Sequence, residues 1–246
     1  MSVLITGAAN GLGASVVSFA KERGHAVVGL DYQWADETQD LEITADLSEP
    51  RSIVKLAPVL SAKGPYDIVV HNAAVSATGK FEEIPAAAHE RLIDINVTSP
   101  LLLTKKLLAD GAIKRGGTLV FIASLSVYVG YPGAASYAAS KMAISNYAKS
   151  LRKSLKSDGI NVLVVYPGPM KTEQASRHAP KGADAEKRMN SDDVARQIFS
   201  AIDGRKSSLV PGMGNKIFAK LGALMPHTMR ALMKKIIYDK LDGSVY

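Results

Sequence analysis

Apolar residues along the chain follow two alternating rhythms. Short β-branched runs bounded by Gly or Asp are separated by longer stretches in which apolar positions recur every third or fourth residue. Val3–Thr6 predicts a first strand, and Ala14–Arg23 a helix with Val16, Val17, Phe19 and Ala20 on its apolar face and Gly24 at its end. His25–Leu30 predicts a second strand, closed by Asp31. Beyond it the pattern predicts a strand near Leu41–Ala45, a helix over Pro50–Leu60 and a strand over Asp67–His71. A long helix follows over Ala86–Leu108, then a strand over Thr118–Ala123, a helix over Tyr137–Ser157 and a strand over Asn161–Tyr166. A helix over Asp192–Ile202 and a short strand over Ser208–Pro211 complete the series.

Strands alternating with helices indicate βαβ units, hence an α/β fold with a parallel sheet covered on both faces. No short repeat and no Pro/Gly/Ser linker divides the chain, so the reading is one doubly wound domain. Residues 1–211 form its core and residues 212–246 a helical extension of it. Met170–Asn190 breaks the rhythm with mixed charge, Ala, Gly and Pro, after the carboxyl end of a strand. Ligands bind at that end of such sheets, so the segment is either a lid or an exposed connection.

The 246 residues, 47% hydrophobic and 22% charged, suffice for a core without staples and exclude disordered and low-complexity classes. The absence of cysteine excludes disulfides, Cys-ligated metal and thiol catalysis. His25, His71, His89, His178 and His227 show no metal-ligand spacing, so no metal is expected. No apolar run approaches the roughly 18 residues of a membrane-spanning helix, and no basic flank precedes the N-terminal apolar run. A soluble, cytoplasmic protein is the expectation. The net charge of +7 is uneven: residues 1–120 sum to −3 and the remainder to +10.

Three features carry chemistry. Thr6-Gly7-Ala8-Ala9-Asn10-Gly11-Leu12-Gly13 joins the first strand to the first helix, where glycines let a backbone turn sharply and approach a diphosphate held by the helix N-terminus. Asp31, 18 residues past Gly13, stands where a carboxylate accepts from both ribose hydroxyls and repels a 2′-phosphate. With no Arg or Lys at Asn10 or Tyr32, NAD is expected over NADP; a solvated strand-end aspartate is the alternative. Tyr137 and Lys141, four apart, share a helix face, where an ammonium would lower the phenol's pKa and make it a general acid/base.

These motifs together resemble the short-chain dehydrogenase/reductase family. Its TGxxxGxG loop corresponds to Thr6 through Gly13, its YxxxK pair to Tyr137 and Lys141, and its serine thirteen residues upstream to Ser124. Its helical asparagine matches Asn96, its adenine-contacting aspartate matches Asp46 of Asp46-Leu47, and its Pro-Gly motif matches Pro167-Gly168-Pro169-Met170-Lys171-Thr172. One motif departs: the family's Asn-Asn-Ala-Gly stands here as His71-Asn72-Ala73-Ala74. The resemblance covers about residues 1–211 and implies a Rossmann-type domain with a mostly parallel seven-stranded sheet.

The resemblance further implies hydride transfer between nicotinamide C4 and a secondary alcohol or ketone, with NAD held by Gly7, Asn10, Gly11, Leu12, Gly13, Asp31, Asp46, Leu47, Asn72, Ala73, Tyr137, Lys141, Pro167, Gly168, Met170 and Thr172. Ser124 would bind the substrate oxygen, Tyr137 would exchange its proton, and Lys141 would lower the Tyr137 pKa and hold the nicotinamide ribose. Asn96 would anchor a relay water. The competing reading is an NAD(H)-binding sensor or scaffold without turnover, since fold does not fix function. Ser126 and Tyr131 are further pocket candidates by position, and a homodimer or homotetramer is implied.

Asn215–Tyr246 predicts two helices broken at Pro226, with apolar residues interleaved by Lys216, Lys220, Arg230, Lys234 and Lys235. A basic amphipathic helix can lie on an anionic membrane, but a pocket-shaping or subunit-packing role is weighed ahead of that. A lipophilic substrate is consistent with either. No nucleic-acid motif is visible.

Overall fold

Val3, Leu4 and Ile5 are all wholly buried, because alternate side chains of their strand enter two different cores. The computed structural model describes residues 1–34, 42–241 and 243–246. Among them seven strands pair in parallel: β1 (Ser2–Thr6), β2 (Ala26–Asp31), β3 (Glu42–Thr44), β4 (Tyr66–His71), β5 (Ile113–Ile122), β6 (Asn161–Val165) and β7 (Ser208–Leu209). Their order is β3-β2-β1-β4-β5-β6-β7. The chain therefore reverses its winding between β1 and β4, the switch point at which such sheets open a crevice. The expected doubly wound α/β fold is present.

One face is covered by α1 (Gly11–Glu22) and α8 (Ser191–Asp203), whose Leu12, Val16, Val194, Ile198 and Phe199 pack on Val3, Ile5, Val70 and Val165. The other is covered by α2 (Pro50–Ala62), α4 (Ser99–Ala109) and α6 (Ala135–Ser154), whose Ile53, Leu103, Leu107 and Ile144 pack on Leu4, Val69, Phe121 and Val164. This two-sided burial is why the strands read as continuous apolar runs.

The single helix expected over Ala86–Leu108 is instead α3 (Ala86–Ile93), a π turn over Asp94–Thr98, and α4. Pro100 explains the break in regularity: it has no amide to offer the carbonyl of Asn96, so the ladder widens there and Ser99 N–H donates to Asp94. Two further helices, α5 (Ser126–Val129) and α7 (Glu173–Arg177), are too short to show a period. β5 begins at Ile113, five residues before the expected start, through a register irregularity opposite Tyr66–Ile68. The expected start of the third strand, Leu41, lies outside the described residues. The C-terminal segment forms α9 (Met213–Leu224) and α10 (Pro226–Ile236), broken where expected, with Pro226 opening the second helix. No helix among the described residues is long and apolar enough to cross a membrane.

Candidate active site

The strands end in a cleft of about 1150 Å³, and the glycine loop forms one side of its floor. Gly7 adopts φ +65° and its N–H donates to Leu30 O at 2.7 Å, turning the chain sharply out of β1. A Cβ on Gly13 would stand 1.7 Å from the Gly7 carbonyl oxygen, so only glycine lets α1 seat directly under the turn. The Asn72 amide braces the same turn, donating to Thr6 O at 3.2 Å and Gly7 O at 2.9 Å. Thr6 Oγ1 accepts from Asn72 N–H and Ala73 N–H, both at 3.1 Å, tying the loop to the end of β4. Asn10, at the N-cap of α1, makes no side-chain cap, so the helix presents open N–H donors beside Gly7 and Gly11.

We expect Gly13→Ala to raise the dissociation constant for nicotinamide dinucleotide about tenfold or more and to cost about 1–3 kcal/mol of stability. Fluorescence titration with NADH and chemical unfolding check the two effects.

At the end of β2, Asp31 is buried and accepts from Ala9 N–H at 2.9 Å through one oxygen and from Tyr32 N–H at 2.7 Å through the other. Each oxygen keeps a lone pair for a further donor. Asp46 turns on itself, accepting from Ser48 N–H at 2.8 Å, and Leu47 packs beside it. Asp31, Asp46 and Leu47 all line the cleft.

Opposite the glycine loop, α6 carries Tyr137 and Lys141 on one face, with the Lys141 ammonium 5.7 Å from the Tyr137 ring centre. Ser124 stands close enough to Tyr137 to lower the phenol's pKa, and Ser124 Oγ accepts from Ser126 N–H at 3.1 Å. Lys141 donates to Ile122 O at 3.0 Å.

The charge balance differs from expectation. Burial pushes the Tyr137 pKa up to about 12, opposed by the nearby Ser124 hydroxyl and reinforced by Tyr131. Burial also lowers Lys141 to about 8, which still leaves the amine mostly protonated at neutral pH. Desolvation decides the sign, so in the free protein Tyr137 is a protonated acid.

Asn96 lies in the π turn behind the cleft wall. Its amide oxygen accepts from Val75 N–H at 2.9 Å, while its nitrogen donates to Val75 O at 2.9 Å and to Ser140 Oγ at 3.0 Å. Ser140 in turn donates to Tyr137 O at 2.7 Å. The side chain is thereby committed to holding the post-β4 loop against α6. A small internal space touches Asn96, Lys141, Thr6 and His71.

Pro167, Gly168, Met170 and Thr172 form the remaining wall after β6. Thr172 caps α7, accepting from Ala175 N–H at 3.2 Å, and a Cβ on Gly11 would lie 3.2 Å from its methyl. Residues 170–190 form an ordered flap. Met170 and Met189 pair as a parallel bridge, His178 hydrogen-bonds Thr78 at 2.9 Å, and Lys181 N–H donates to Lys240 O at 3.0 Å. The C-terminal tail returns to Thr78 through an antiparallel bridge with Val245.

Of the residues assigned a catalytic or cofactor-binding role from the sequence, all but Gly13 and Asn96 line the cleft, and those two stand directly behind it. Ser126 and Tyr131 also line it. Sequence reasoning did not single out Arg188, which lines the cleft, donates to Ser176 Oγ at 2.9 Å and lowers the Tyr131 pKa against its burial. It also passed over Thr78 and His178. Phe218, Met233, Ile236 and Ile237 give the cleft an apolar side, as the pocket-shaping reading of the C-terminal helices anticipated.

A sequence profile described as short chain dehydrogenase matches residues 1–182. The 1-deoxy-11-beta-hydroxypentalenate dehydrogenase of Streptomyces exfoliatus is 30% identical over 220 residues, spanning 82% of this chain and 79% of its own. A short chain dehydrogenase from Burkholderia cenocepacia, solved with NADP, superposes with a TM-score of 0.77 at 20% identity, over 94% of this chain and 96% of its own. A 4-hydroxyisoleucine dehydrogenase solved with NADH superposes with a TM-score of 0.75 at 23% identity, over 85% of this chain and 96% of its own.

Proposed function

The chain belongs to the short-chain dehydrogenase family, an oxidoreductase family, and we propose that it interconverts a secondary alcohol and a ketone with NAD as hydride carrier. The observation that carries this reading is the joining of a nucleotide cradle to an acid/base group in one cleft. The Gly7–Gly13 turn and the uncapped end of α1 lie on one side, and Ser124, Tyr137 and Lys141 together on the other.

The residues fit a dinucleotide. The glycine turn packs tightly on Ala73 and on its own helix, and the open N–H donors that α1 then presents to the cleft favour a diphosphate. Asp31 retains acceptor capacity for ribose hydroxyls. Asp46, Leu47 and Ala73 would enclose the adenosine side, and Pro167, Gly168, Met170 and Thr172 the nicotinamide side. When bound, the nicotinamide supplies a hydride donor or acceptor at its C4.

The protein's own groups do the rest. Ser124 positions the substrate oxygen against Tyr137. Tyr137, protonated in the free protein, gives its phenolic proton to a ketone oxygen in reduction and takes one from the alcohol in oxidation. Lys141 supplies the cation that the phenolate needs while oxidation proceeds. Asn96 is a positioning residue, holding α6 and the post-β4 loop in register through Ser140 and Val75.

NAD over NADP rests on Asp31. Its carboxylate would lie against a 2′-phosphate, and neither Asn10 nor Tyr32 offers a cation to offset the repulsion. Purified protein offered NAD or NADP with secondary alcohols, or the reduced cofactors with the matching ketones, tests the reading by absorbance of reduced nicotinamide. Turnover with an NAD preference supports it, and Asp31→Asn is expected to shrink that preference about tenfold or more. Saturable NADH binding with no turnover in either direction would favour the sensor or scaffold instead.

A further inference from the structure

Helix α9 turns a row of large apolar side chains away from the protein. Met213, Ile217, Leu221 and Leu224 are 70%, 56%, 41% and 78% exposed. At 100° per residue they fall within an arc of about 80°, so they form one stripe. Met225, at the corner into α10, extends it and is 51% exposed. The opposite face is fixed to the domain: a Cβ on Gly222 would lie 2.7 Å from Tyr128 O, Ala219 is buried, and Phe218 reaches the cleft. The stripe is therefore the outer surface of a rigidly seated helix.

The charge around it has one sign. From Arg205 to Tyr238 there are seven Lys and Arg and no Asp or Glu. Lys216 and Lys220 border the stripe on α9, and neither they nor Lys235 on α10 form an ion pair among the described residues. A second copy of the chain meeting this face would set these lysines against their own counterparts. Apolar side chains flanked by unpaired lysines instead match an anionic bilayer, whose headgroups take the cations while the stripe enters the acyl boundary.

We propose that α9 and the α9–α10 corner dock the protein on an anionic lipid surface. Met213, Ile217, Leu221, Leu224 and Met225 insert, and Lys216 and Lys220 pair with the headgroups. The cleft wall carried by Phe218 then lies on the reverse of the docked helix.

Co-sedimentation of the full-length chain with phosphatidylcholine vesicles, with and without phosphatidylserine, tests this. Binding is expected only to the phosphatidylserine vesicles, weakening in about 0.5 M salt, where charges more than a few ångströms apart are screened. Leu221→Asp combined with Leu224→Asp, both at exposed positions, is expected to lower binding about tenfold or more while the unfolding midpoint stays within about 2 °C. Lys216→Glu with Lys220→Glu should lower binding to anionic vesicles with the stripe intact. No vesicle binding by the parent chain overturns the proposal, and so does equal binding by the Leu221/Leu224 variant. A self-association in sedimentation velocity that this variant abolishes, without vesicle binding, would assign the stripe to a second copy.

Discussion

Tyr137→Phe is expected to lower kcat for both alcohol oxidation and ketone reduction by about a hundred- to ten-thousandfold, the range that a positioned acid/base group contributes. The substitution removes one oxygen from a half-buried ring that lines the cleft. The ring's edge-on contact with Tyr131, at 6.4 Å between centres, does not involve that oxygen and should persist. NADH affinity should change far less than kcat, because most of the cradle lies across the cleft at Gly7–Gly13 and Asp31. The pH profiles should also separate. With the phenol at about 12 in the free protein, reduction starts from the protonated form and should stay flat through neutrality. Oxidation needs the phenolate and should rise with pH across the same range. Steady-state kinetics on the parent and the variant, with NADH titration alongside, check all three expectations. A kcat within tenfold of the parent would remove Tyr137 from the chemistry.

The contrast between the two flanks of the cleft shows what a sequence reveals and what it hides. The glycine turn was legible because its requirement is local: a positive φ at Gly7 and a Cβ-free Gly13 are properties of neighbouring residues. The strands were legible because burial on both faces leaves continuous apolar runs. The sign of the Tyr137 shift was not legible, because spacing places Lys141 on the same face but says nothing of how thoroughly both groups are desolvated. The π turn at Asn96 follows from Pro100, yet an apolar period running through Ala86–Leu108 masks it. Arg188 and the His178–Thr78 bond belong to a flap without periodicity, where only the fold brings residues 100 apart in sequence into contact. The lysines of α9 were countable from the sequence, but which apolar residues they border depends on which face Gly222 seats.

Acid should destabilise this protein through His71 more than through any exposed group. The imidazole sits at the end of β4, stacked on Phe121 at 4.8 Å between ring centres, with Nε2 hydrogen-bonded to Thr104 Oγ1 at 2.8 Å. Nδ1 is buried with no hydrogen-bond partner among the described residues. Burial holds the ring neutral, lowering its pKa from 6.5 to about 3. Between those values the unfolded chain binds a proton that the folded chain refuses, so stability rises with pH across that window. The contribution is complete above about pH 6.5 and is lost progressively as pH falls towards 3; the two pKa values together correspond to about 4–5 kcal/mol. His71→Asn and His71→Phe both remove the titration, the first keeping a polar group near Thr104 and the second keeping the stack on Phe121. Each has its own fixed cost from altered packing, but neither should show the extra loss between pH 6.5 and 4. Urea unfolding at a series of pH values isolates the effect, because the carboxylates, His25 and His178 titrate in parent and variants alike. A difference between parent and variants that stays constant across that range would mean the imidazole is not held neutral by burial.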